Sequence, residues 1–158
     1  MRSRSLSFVI CGVLLAGCAQ RSTSTAGSPP VGPASTSPAA APGLPPDVLN
    51  VTWHWVNLFT PGETVTPDAP ERYTLRFEPG RVTVRADCNS GSGAYSAPGD
   101  RRLAISAIAL TRVGCSAGSL SARFATEVTR ATSYSVRDGA LFLELPGGAG
   151  TLQFRPGA

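Results

Sequence analysis

The chain has 158 residues, 14 of them basic, 10 acidic, four cysteine and one histidine. All 14 basic residues are arginine, a bias that a GC-rich coding sequence explains, and they are scattered rather than clustered, so the composition does not read as nucleic-acid-binding. Neither a metal-ligand spacing of Cys and His nor a glycine loop with the lysine that cradles phosphate is present, and no cofactor is expected.

The N-terminus carries Arg2 and Arg4, then an apolar run from Leu6 to Leu15. A membrane-spanning helix needs about 20 apolar residues, so this run is too short to cross. It has the layout of a signal peptide: a positive start, a short apolar middle and small residues before a cleavage point. The ending Leu15-Ala16-Gly17-Cys18 resembles the lipobox of bacterial lipoproteins. That resemblance implies that residues 1–17 are removed, taking Cys11 with them, and that the Cys18 thiol receives a diacylglyceryl group. The membrane is then a partner through the lipid anchor, and the location is the cell envelope. Ala19 in place of Asp implies outer-membrane sorting in a Gram-negative cell; otherwise the anchor lies on the outer face of the plasma membrane. The alternative is an ordinary signal peptide with an incidental cysteine.

Residues 18–46 follow as a tether. Positions 19–46 hold seven Pro, eight Ser or Thr, six Ala and three Gly, with Val31 and Leu44 as the only large apolar residues. Such a segment buries too little surface to offset the entropy of ordering it. As a coil it spans roughly 30 Å, and as polyproline II about 85 Å.

Residues 47–158 are long enough for one small domain. Period-two alternation dominates it. In Val51-Thr52-Trp53-His54-Trp55-Val56 both tryptophans share one face and His54 takes the other. Tyr73, Leu75 and Phe77 alternate with polar residues, as do Val82, Val84 and Ala86. Pro79-Gly80 between them is a turn dipeptide, and a hairpin closing there pairs Phe77 with Val82 and Leu75 with Val84. Leu103, Ile105 and Ala107 form a further strand after a loop at 97–100. The period then changes: Ser119 is placed to cap a helix over about 119–131, with Leu120, Phe124 and Val128 on one stripe. Tyr134-Ser135-Val136, the hairpin turn Asp138-Gly139, and Leu141, Leu143 and Leu145 return to strands, and Pro146-Gly147-Gly148 turns into Leu152-Gln153-Phe154. The fold class is α+β: a small antiparallel β-sheet or partly open barrel with one amphipathic helix packed on it.

Two cysteines remain in the domain, Cys88 and Cys115. In an oxidising compartment, a pair of thiols in a small domain points to a disulfide. Closing that loop contributes roughly 3–4 kcal/mol on the chain-entropy model. A zinc site, a redox pair, and a Cys nucleophile with His54 as base are the rival readings.

The stretch Asp87-Cys88-Asn89-Ser90-Gly91-Ser92-Gly93-Ala94-Tyr95, then Leu103-Ala104-Ile105, then Thr111-Arg112-Val113-Gly114-Cys115, resembles the META domain of HslJ-like proteins. The paired tryptophans, the Tyr73-x-Leu75-x-Phe77 strand, and Tyr134 with Gly139, Leu141 and Leu143 extend the likeness over about 50–155. Asp87 departs from it, standing where Gly is usual, and Val113-Gly114 stand where Met-Ala is usual. Asn89, Gly93, Tyr95 and Thr111 are the structural motif residues on this resemblance, and Cys88–Tyr95 reads as a conformational corner. The resemblance implies an envelope protein linked to heat shock, drug tolerance, secretion or motility, without catalysis.

Three functions follow. The first is a tethered, non-catalytic module that binds an unknown envelope protein. The second is a carrier of a small apolar ligand or lipid, with Trp53, Trp55, Tyr73 and Phe77 as candidate lining. The third is a Cys-dependent hydrolase.

Overall fold

The computed structural model describes residues 43–157. The leader, Cys18 and the tether through 42 lie outside the described residues. Ten strands and one α-helix form: β1 (Thr52–Phe59), β2 (Thr64–Val65), β3 (Tyr73–Glu78), β4 (Arg81–Ala86), β5 (Asn89–Gly99), β6 (Arg102–Ile105), β7 (Ala109–Leu110), α1 (Ser121–Arg130), β8 (Ser133–Arg137), β9 (Ala140–Glu144) and β10 (Thr151–Pro156). The sheet runs β10-β9-β8-β6-β5-β4-β3-β1, and β10 pairs back onto β1. Eight strands therefore close into a barrel. β2 attaches to β1 and β7 to β5, outside that ring.

Closure is the main difference from expectation. The sheet or partly open barrel becomes a ring because β1 and β10, the first and last long strands, pair antiparallel from Trp53↔Pro156 to Phe59↔Thr151. Long-range pairing of this kind has no local signature. β1 also runs three residues past Val56. The register shifts between Trp55 and Asn57, a bulge that moves the buried parity from Trp53 and Trp55 to Leu58.

The β3–β4 hairpin has the register read from its alternation, with Phe77↔Val82, Leu75↔Val84, Thr74↔Arg85 and Arg76↔Thr83. Two tight turns use positive φ at both central residues, as primed hairpin turns require: Asp100 (51°) with Arg101 (59°), and Asp138 (53°) with Gly139 (69°). The expected loop at 97–100 is mostly strand, since β5 continues to Gly99. The folded unit also begins before residue 47. Leu44 is buried, Val48 fully so, and the Gly43 N–H donates to the Ala97 carbonyl at 2.8 Å.

Apolar side chains of alternate strand positions fill the barrel. An eight-stranded ring is just wide enough inside for its own side chains to pack. The helix completes the filling. Phe124 and Val128 are fully buried. The Phe124 ring stacks on Trp55 at 5.0 Å between centroids, meets Tyr73 edge-on at 5.7 Å, and lies 6.2 Å from Phe154. The polar tips of these rings are also satisfied. Trp53 Nε1 donates to the Val48 carbonyl and Trp55 Nε1 to the Asn57 carbonyl. The Tyr73 hydroxyl accepts the Leu120 N–H at 3.0 Å, one of the orphan donors at the helix start. The helix begins at Ser121, so Leu120 and not Ser119 holds the N-cap position and no cap side chain bonds the first turn; the Ser119 Oγ, one residue further out, accepts the Ser121 N–H at 3.3 Å.

Truncating Phe124 to Ala should destabilise the domain by about 3–5 kcal/mol, because the surrounding strands cannot collapse into the space left. Chemical denaturation of the variant beside the wild type measures this; a shift well under 1 kcal/mol would show that the ring does not plug the barrel.

Candidate functional site

The residues singled out by sequence gather into one corner and one core. The corner lies where β4 turns into β5. Asp87 sits in that turn with φ 60°, which explains why Gly is usual there: the position needs left-handed backbone, and Asp is among the few side chains that tolerate it. The Asp87 carboxylate is almost wholly buried and forms an ion pair with the half-exposed Arg72 guanidinium. The Asp87 N–H donates to the Arg72 carbonyl at 2.7 Å. Nothing local in the sequence marks this ion pair, because Arg72 is fifteen positions away.

Cys88 and Cys115 are joined by a disulfide, with their Cα atoms 5.5 Å apart. Asn89 sits beside them, buried, and organises the loop that leads to Cys115. Its Oδ1 accepts the Val113 N–H at 2.8 Å and the Thr111 hydroxyl at 3.0 Å. Its Nδ2 donates to the Val113 carbonyl at 3.1 Å and lies 3.3 and 3.2 Å from the two sulfurs. The Thr111 hydroxyl in turn accepts the Ser90 N–H at 3.1 Å. The structure thus brings Asn89, Thr111, Cys88 and Cys115 together as one polar staple. Each buried lone pair and N–H in it is matched, the condition under which a buried amide does not destabilise a fold.

Gly93 and Tyr95 lie elsewhere. From Asn89 to Ala94 the chain is strand in regular register with β4, not a bent corner, so the expected bend is confined to Asp87-Cys88. The glycines serve close approach instead. A Cβ on Gly91 would run into the Ala109 carbonyl, and one on Gly93 would press at 3.2 Å on the Ala107 carbonyl. Their absent side chains let the 106–110 segment, whose β7 pairs antiparallel with β5, lie close against that strand. Tyr95 is half-buried and meets Phe77 edge-on at 5.1 Å. Burial is the largest influence on its phenol and pushes the pKa above the ordinary tyrosine value; the nearby Gly80 backbone acts in the opposite sense.

Trp53, Trp55, Tyr73 and Phe77, the candidate ligand lining, are all core residues, and Trp55 and Phe77 are fully buried. Trp55 and Tyr73 pack on each other and on Phe124 of the helix, and Phe77 packs on Tyr95. All four side chains are buried, as their alternation predicts, and the helix takes the space that Trp55 and Tyr73 face. His54 lies on the outer side of β1, opposite Arg155 of β10 and Thr74 of β3. Two depressions flank the staple on the surface. One, of about 540 Å³, lies over β1, β3, β4 and the start of β5. The other, of about 640 Å³, lies between the 108–113 segment and the start of α1, beside the exposed Val113.

A closed eight-stranded barrel plugged by one helix and stapled at the β4–β5 corner by a disulfide defines the class of protein. The family model of the META domain matches residues 46–157, and the chain belongs to that family. No curated protein matches the chain. Among solved structures it is similar to a DUF4847 family protein from Bacteroides vulgatus, at 18% identity and a TM-score of 0.49, over 68% of this chain and 93% of that one.

Cys88→Ser should lower the stability of the domain by about 3–4 kcal/mol, read as a drop in the denaturation midpoint; an unchanged midpoint would show that Asn89 holds the corner without the bond. Tyr95 supplies a pH test. Its folded pKa is raised, so its contribution to stability is complete below the unfolded-state value and is lost as pH rises through the folded one. An ultraviolet absorbance titration should show a late-ionising phase that loses amplitude in Tyr95→Phe.

Proposed function

We propose that this chain is a lipid-anchored protein of the cell envelope whose META barrel is a non-catalytic binding module, with a role in stress or drug tolerance of the kind the family resemblance implies. The observation that carries this reading is the commitment of the reactive side chains to structure. Both domain cysteines form a disulfide. The amide of Asn89 is spent on Thr111, Val113 and the sulfurs. His54, the base of the hydrolase reading, sits mid-strand on the outer barrel wall, with Arg155 and Thr74 as its strand neighbours.

The packing of the interior favours surface binding over interior carriage. A carrier needs space inside for its ligand, and of the aromatic candidates for that lining Trp55 and Tyr73 pack on Phe124 and Phe77 on Tyr95 instead. The anchor itself rests on Leu15-Ala16-Gly17-Cys18 and on the Pro, Ser, Thr and Ala content of the tether. A long leash holds a domain near a membrane while leaving its faces free to meet partners.

Cys18→Ser should move the protein from the membrane fraction to the soluble fraction without changing the melting temperature of the domain. Fractionation of cells expressing each form, with a thermal melt of the purified proteins, tests both halves; retention of the serine variant in the membrane would sink the anchor.

A further inference from the structure

The arginines scattered along the sequence are gathered by the fold. The strand registers place Arg155, His54, Thr74, Arg85 and Ser90 in one row across β10, β1, β3, β4 and β5. The adjacent row is Thr52, Arg76, Thr83 and Ser92. The intervening residues of β1, β3 and β4 are core, so these two rows face outward. Every side chain in them is a guanidinium, an imidazole or a hydroxyl, and neither row holds a carboxylate.

Two carboxylates lie close by. Glu78 is one row beyond and approaches Arg76 at Nε, 3.6 Å away, with both side chains over 40% exposed. Asp87 borders the 540 Å³ depression, but its carboxylate is buried and bound by Arg72. Arg85 takes part in none of the ion pairs among the described residues. Arg81 is committed to Ser92 Oγ at 2.7 Å. Arg76 and Arg85 are diagonal neighbours on paired strands, a separation of about 7–8 Å that two arginine side chains jointly span. The depression between them is also lined by Thr52, Thr74, Thr83 and Ser90.

We propose that this depression binds a phosphoryl oxyanion, gripped by the Arg76 and Arg85 forks with those four hydroxyls as neutral donors. Guanidinium presents paired N–H groups that match phosphate geometry, and arginine is the residue suited to it. A carboxylate offers two oxygens, whereas a phosphate ester offers three strong acceptors, the better match to two forks ringed by hydroxyls. The ligand class is a phosphate ester, supplied either by the headgroup of an anionic phospholipid or by a soluble phosphorylated molecule. The proposal rests on the binding-module reading and names what the module binds.

The test uses the full chain carrying Cys18→Ser, so that no lipid of its own intervenes. Inorganic phosphate should shift the backbone amide resonances of Thr83, Arg85 and Ser90. Arg76→Gln with Arg85→Gln should weaken binding by about tenfold or more. Arg101→Gln with Arg112→Gln removes the same charge elsewhere and should change binding by less than about twofold, since screened surface charge acts weakly at a distance. Sedimentation with phosphatidylglycerol vesicles but not phosphatidylcholine vesicles, lost in the Arg76/Arg85 variant, assigns the lipid headgroup; phosphate binding without vesicle binding assigns the soluble ester. Absence of phosphate-dependent shifts, or equal weakening by both double variants, overturns the site. Should the Arg76/Arg85 variant fail to fold, Arg85→Gln alone, at an exposed position, carries the same comparison. Membrane retention of the native chain is read separately, so a failed oxyanion site leaves the anchor standing.

Discussion

Eight strands closed into a ring enclose a space that must be filled, and Phe124 fills the part that strand side chains do not reach. This constraint orders much else. Stacking on Trp55 and edge contact with Tyr73 fix how the helix lies across the barrel, and the Tyr73 hydroxyl then finds the helix N-terminus and accepts the Leu120 N–H. A single aromatic from the only α-helix among the described residues thus couples three strands of the wall, β1, β3 and β10, through packing, while a strand residue helps begin the helix. The interior is consequently a core, and recognition falls to the outer wall and the loops.

The second organising element is the staple at the β4–β5 corner. Left-handed backbone at Asp87 turns the chain so that Cys88 and Asn89 face the loop carrying Thr111, Val113 and Cys115. The disulfide and the amide are complementary. The bond limits the unfolded chain, whereas Asn89 gives the 111–115 loop a specific backbone path. The corner also adjoins the arginine-bearing depression through Asp87, Cys88, Asn89 and Ser90, so its rigidity sets the edge of that surface.

Much of this was legible in the sequence where the signal is local. The β3–β4 register followed from strict alternation about Pro79-Gly80, and the helix stripe from Leu120, Phe124 and Val128. Barrel closure was not legible, because pairing of β1 with β10 joins residues about a hundred positions apart and leaves no mark in either strand. Glycine permits both bending and close approach, and at Gly91 and Gly93 only the pairing of β7 close against β5 separates the two. Leu44 reads as part of the tether because its neighbours are Pro and Gly; it is buried beside Gly43, whose N–H bonds the Ala97 carbonyl more than fifty positions away, a pairing no window of sequence contains. The aromatic faces were correctly placed inward, yet nothing in their spacing says whether a helix or a ligand meets them.

One seam of the ring is unlike the rest. β6 and β8 share a single residue pair, Arg102↔Ser133, supported by the Leu103 N–H to Thr132 carbonyl and Tyr134 N–H to Arg101 carbonyl bonds, each 2.9 Å. Every other junction of the wall carries at least three paired residues. Local opening is least costly where the fewest ladder bonds must break. The barrel wall is therefore thinnest in backbone pairing along the line between β6 and β8, where side-chain packing rather than the ladder must keep the ring shut.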